Sequence, residues 1–135
     1  MQKTIEKSAK RRVKARTNNG SDMNSSRLIS RILSISGLPI SFLAEKVFEV
    51  TPKTLSKYRN ENVSLSALML EHTRKFLDVY ELGIEVFGSS GEFNGWLMQD
   101  SFGLGREIPA DKLNTSLGLE LVYDELIRIA YGATA

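Results

Sequence analysis

"SALMLEHTRKFLDVYELGIEVF", Ser66 to Phe87, is the longest stretch of this chain with one continuous periodicity. Met69, Phe76, Tyr80, Ile84 and Phe87 recur at helical spacing and predict a helix of about six turns with one apolar face. Gly83 interrupts it at a penalty of about 1 kcal/mol relative to alanine. "GSSG" (88–91) ends it. No strand-like alternation is persuasive elsewhere, so the expected fold is all-α, without an internal repeat.

N-terminal to this helix the pattern is shorter and more interrupted. Leu28, Ile32, Leu33 and Ile35 predict a helix capped by Asn24 or Ser25, and "SGLP" breaks it at Gly37 and Pro39. "SFLAEKV" predicts a short helix with Ser41 as its N-cap. "TPKTLSKYRN" then places Thr51 at an N-cap and Pro52 in the first helical position, with Leu55 and Tyr58 facing inward. Two short helices joined by a tight turn after an apolar first helix suggest a helix-turn-helix. Such a motif turns the polar N-terminal half of its second helix into the major groove. Lys53, Thr54, Ser56 and Lys57 meet that requirement, and Arg59 and Asn60 suit phosphates. Ala44 takes the small-residue position of the preceding helix. Phe48 stands where the turn commonly has glycine, and Ala44 to Val50 is one residue longer than usual.

The 135 residues are 41% hydrophobic and 25% charged, a globular composition. The net charge of +2 hides a gradient. Residues 1–16 hold seven bases against Glu6, residues 17–70 carry +2, and Glu71 onward carries −6. One end suits a polyanion and the other does not. Residues 1–22 are expected to be a basic arm and linker, either a solvated tail or a segment that tracks DNA phosphates. There is no cysteine and a single histidine, His72, so disulfides, thiolate metal sites and histidine acid-base chemistry have almost nothing to build on. His72 reads as a surface or half-buried side chain. "GSSGEFNG" and "GLG" follow no strand and do not open a phosphate-binding fingerprint. No metal, cofactor, small-molecule substrate or catalytic set is expected. No apolar run approaches the roughly 20 residues that span a bilayer, and a cytoplasmic, non-enzymatic protein is the default expectation.

After the long helix come a helix around Glu92 to Met98 with Trp96, an irregular "QDSFGLGREIP", a turn "PADKL" and a final helix from Ser116 or Leu117. In "LGLELVYDELIRIAYG" (117–132), Leu119, Val122, Tyr123, Leu126, Ile129 and Ala130 form an apolar stripe. Leu121 stands among Glu120, Asp124, Glu125 and Arg128 on the charged side. Glu120, Asp124 and Arg128 share a row, either with Asp124 and Arg128 paired on the surface or as contacts to a partner. Gly118 and Gly132 look like boundary residues, Gly132 suiting a left-handed C-cap. Trp96, Leu104, Pro109 and Leu113 read as a small core.

Across this third of the chain the sequence resembles the toxin-binding domain of the Xre/MbcA/ParS antitoxin family. That pattern runs F-G, W-L, L-G-G, P-x-x-x-L and T-x-x-G-x-x-x-V-x-x-x-L-x-R-I-x-Y-G. It is met without a gap at Phe87, Gly88, Trp96, Leu97, Leu104, Gly105, Pro109, Leu113, Thr115, Gly118, Val122, Leu126, Arg128, Ile129, Tyr131 and Gly132. Asp100 replaces a common proline, Arg106 a second glycine and Ala130 an acidic residue. The resemblance implies a type II antitoxin that inhibits a RES-domain toxin consuming NAD, dimerises, enters larger toxin-antitoxin assemblies and represses its own operon. In relatives the C-terminal helix and terminus lie against the mouth of the toxin's active site. On that basis Glu120, Leu121, Asp124, Arg128, Tyr131, Gly132 and Ala135 are the expected toxin contacts. The expected organisation is a basic arm (1–22), an Xre-like helix-turn-helix domain with the connecting helix (23–87) and a toxin-binding domain (88–135). The alternative is a stand-alone dimeric helix-turn-helix repressor without a toxin partner.

Overall fold

A computed structural model describes residues 24–132. The basic arm and Ala135 lie outside the described residues. Six helices run in chain order: α1 (Ser25–Ser36), α2 (Ile40–Phe48), α3 (Pro52–Asn60), α4 (Ala67–Phe87), α5 (Ser90–Leu97) and α6 (Ser116–Ala130). Two single 3₁₀ turns, Phe102–Leu104 and Pro109–Lys112, lie between α5 and α6. There is no strand among the described residues, only one antiparallel bridge between Ser101 and Glu107. The expected all-α class is what the described residues adopt.

Local chemistry sets most helix ends. Asn24, Thr51, Ser66, Ser89 and Thr115 each accept a hydrogen bond from the N–H three residues on, satisfying a donor that the first turn leaves open. Gly37 and Gly88 close α1 and α4 in the left-handed conformation, at φ 66° and 96°. Two starts differ from expectation. α2 begins at Ile40 rather than after a Ser41 cap, because Pro39 is already extended and its carbonyl takes the Leu43 N–H at 3.2 Å. α5 begins at Ser90, since Ser89 caps it ahead of Glu92.

The extra residue between Ala44 and Val50 is absorbed inside α2. From Leu43 to Phe48 the helix widens to π geometry. The Val50 N–H then closes on the Ala44 carbonyl at 2.9 Å. The residue with positive φ is Glu49, at 54°, not Phe48. Phe48 is buried instead, 6.0 Å from the Phe76 ring and 5.3 Å from the His72 ring.

α4 is the spine, packed by α1 and α5 on one part and by α6 along another. One continuous core includes Leu28, Ile29 and Ile32 of α1, Leu55 of α3, Phe76, Tyr80 and Leu82 of α4, Phe93 and Leu97 of α5, and Leu119, Val122 and Leu126 of α6. Phe93, not Trp96, is the fully buried aromatic of α5. Leu104, Pro109 and Leu113 are buried as expected, whereas Trp96 is half-buried against Phe87 and Phe93. No single described helix is long and apolar enough to cross a membrane.

Candidate functional site

α6 has two faces. Leu119, Val122 and Leu126 are fully buried, and Ile129, Ala130 and Tyr123 are half-buried beside them. Each fully buried aliphatic side chain contributes about 1.5–3 kcal/mol, so this face holds the helix on α4. Opposite, Leu117, Leu121, Asp124, Arg128 and Tyr131 fall within about 40° of one line, on a stripe about 21 Å long. All five are exposed, with Leu117 at 65%, Leu121 at 40% and Tyr131 at 46%. Leu117 was no candidate in the sequence, although its place one turn before Leu121 was a signal for it. Gly132 ends the stripe at φ 70°, its N–H on the Ile129 carbonyl at 3.0 Å.

The candidate contacts are not equivalent. Glu120 leans off the stripe toward α4, where its carboxylate takes the Lys75 ammonium at 2.8 Å. Lys75 also reaches Glu71 at 3.2 Å and the Ser116 hydroxyl. The carboxylate of Glu120 holds the Lys75 pKa up, against the desolvation that opposes it. The expected surface pair of Asp124 with Arg128 does not form. The Arg128 Nε donates instead to Glu125 Oε1 at 2.7 Å, across three residues rather than four. Glu125 is only 6% exposed, so its carboxylate is where a partner is most needed.

The cause of that burial is the turn after α5. Gly103 lies directly on the Glu125 carboxylate, and a Cβ there would overlap it. The turn is tied by Ser101 N–H to Glu107 carbonyl at 2.9 Å and Arg106 N–H to Ser101 carbonyl at 2.8 Å. Between it and the end of α6 opens a cleft of about 570 Å³ lined by Trp96, Phe102, Glu125, Arg128 and Ile129 among others. Gly118, in the first turn of α6 with its N–H on the Thr115 hydroxyl at 2.9 Å, also serves packing, because a Cβ there would strike the Lys112 carbonyl.

α3 carries the other candidate set. Lys53, Lys57 and Asn60 are exposed along one line of the helix, with Ser56 half-buried at its edge. Thr54 flanks them, and its hydroxyl accepts from the Thr51 cap hydroxyl at 2.9 Å. Arg59 lies about 120° from Lys53, its Nε on the Asn60 side chain at 3.2 Å and its carbonyl accepting from Ser26. Its cation therefore does not share the row of the two lysines. His72 is half-buried, and its Nε2 donates to the Leu113 carbonyl at 3.0 Å. Among the described residues no group of three or more His, Asp, Glu or Cys is placed to hold a metal.

Residues 82–132 match the family model described as the antitoxin Xre/MbcA/ParS C-terminal toxin-binding domain. No curated protein matches the chain. The match begins inside α4 and includes α5, the 101–107 turn, the cleft and all of α6 as far as Gly132.

Proposed function

With residues 82–132 belonging to the toxin-binding domain of Xre/MbcA/ParS antitoxins, we propose that this chain is a type II antitoxin whose target is a RES-domain, NAD-degrading toxin. The observation that carries the reading is the outer stripe of α6. A helix fully anchored by its inner face exposes Leu117, Leu121 and Tyr131 together with Asp124 and Arg128. Apolar side chains lined up on one face with charges among them suit protein docking better than solvent. Inhibition is by occlusion: α6, with Tyr131, Gly132 and Ala135 after it, covers the mouth of the toxin's active site and hinders entry of NAD. Nothing in this mechanism asks the antitoxin for catalysis, a cofactor or a substrate of its own.

The helix pair α2–α3 supplies the second activity, binding of operator DNA by Lys53, Lys57, Ser56 and Asn60 in the major groove, with Thr54 and Arg59 at the flanks. The basic residues 1–16 add phosphate contacts. A homodimer reading two half-sites fits this use, as do larger toxin-antitoxin assemblies that repress the operon, all in the cytoplasm.

Removing α6 would remove Leu119, Val122 and Leu126 from the core, so point changes on the outer face separate binding from folding. Leu121→Asp and Asp124→Lys should each abolish rescue of growth when co-expressed with the RES-domain toxin. Leu121→Asp should leave the thermal midpoint within a few degrees. Full rescue by both variants would exclude the outer stripe as the inhibitory surface.

A further inference from the structure

Phe102 is the most exposed aromatic side chain among the described residues, at 83%. It is also held in place. The turn that presents it is closed by the paired hydrogen bonds between Ser101 and the 106–107 segment and by the Gly105 N–H on the Phe102 carbonyl at 3.2 Å. Two successive residues, Gly105 and Arg106, take the left-handed conformation, both at φ 65°. That conformation is easy for glycine and unfavourable for arginine. Arg106 occupies it where the family pattern commonly has glycine, and its guanidinium lies 5.5 Å from the Phe102 ring centroid. The strained backbone thus places a cation on an aromatic face that is otherwise in water. Underneath, Gly103 seats the turn on Glu125, which holds Arg128 of the α6 stripe.

We propose that Phe102 is an anchor of the toxin contact, inserting into an apolar pocket of the toxin whose rim carries carboxylates facing Arg106 and Arg128. The proposal rests on the toxin-binding reading above and extends it to a residue off α6. The continuity is physical, because Phe102, Arg128 and Ile129 line one cleft, so a partner covering the end of α6 meets the knob as well. Rigid, pre-placed aromatic and arginine side chains are the ones that dominate association, since little freedom is lost when they bind. Arg106 then discriminates between toxins by the charge it meets.

The test uses the full chain and the RES-domain toxin proposed above, with affinity measured by calorimetry. Phe102→Ala should weaken binding at least 30-fold, and Arg106→Gly about 5-fold. Phe102→Ala should leave the thermal midpoint unchanged, since it removes no buried contact, and Arg106→Gly should raise it. A photoreactive benzoylphenylalanine at position 102 should crosslink to the toxin, which decides the matter even if Phe102→Ala folds poorly. Binding of Phe102→Ala within twofold of the parent, with Leu121→Asp still defective, overturns the anchor and leaves the toxin-binding reading intact. A change confined to self-association in sedimentation, or no crosslink to the toxin, also overturns it. A parent chain that does not bind the toxin removes both.

Discussion

At Gly83 the helix propensity scale and the tertiary contacts give opposite predictions. In an exposed helix, Gly→Ala stabilises by about 1 kcal/mol. Here a Cβ would lie 2.5 Å from the tip of the Phe93 ring, itself fully buried between Tyr80 and Trp96. Gly83→Ala should therefore destabilise, by about 1–2 kcal/mol once overpacking has outweighed propensity, as a denaturant titration would show. The sequence displayed this glycine only as an interruption, since the ring that needs its space arrives ten residues later on another helix. Glu125 was hidden in the same way. It belongs to the charged side of α6 by periodicity, and only a turn folded over it by Gly103 makes it a buried carboxylate that takes Arg128 away from Asp124.

Among the elements, α4 shows why caps were legible and partners were not. Ser66 and Gly88 bound it through contacts within four residues, which composition alone can signal. Its side chains, however, join segments far apart. His72 donates to Leu113 and meets Phe48 edge-on. Burial of the ring lowers the His72 pKa from its usual 6.5, outweighing the Leu113 and Val47 carbonyls and Glu49, which favour the cation; Lys75 adds to the lowering. The unfolded chain then takes up a proton before the folded one does. Stability fully present above about pH 6.5 is therefore lost as pH falls through the folded value. The thermal midpoint should drop between pH 7.5 and 5.5 by more in the parent chain than in His72→Gln, and equal drops would rule out His72 as the source. α2 makes the same point about length: its extra residue was visible in the spacing, but whether it lengthened the turn or widened the helix depended on burying Phe48 against Phe76.

The whole molecule is divided by charge and continuous in its core. Residues 1–16 and α3 are basic while the part from Glu71 onward is acidic, so operator DNA is expected at one end and toxin at the other. Operator affinity should then fall steeply with salt as phosphate contacts release counterions. Lys53→Ala with Lys57→Ala should reduce the slope of log affinity against log salt by about 1–2, measured by filter binding. The core does not follow that division. The Tyr80 hydroxyl donates to Asn94 at 2.6 Å, and the Asn94 amide donates to the Ser36 carbonyl at 2.8 Å, so α1, α4 and α5 share one part-buried polar chain across residue 87. By itself the sequence determined the all-α class, the caps at Asn24 and Thr51, and the buried stripe of α6, because periodicity and capping are effects between residues three or four apart. Only the tertiary structure decided that Glu125 is buried, that Gly83 and Gly118 make room for neighbours, and that Phe102 stands beside Arg128. Each of those depends on which distant segment occupies the adjoining volume, and no local pattern encodes it.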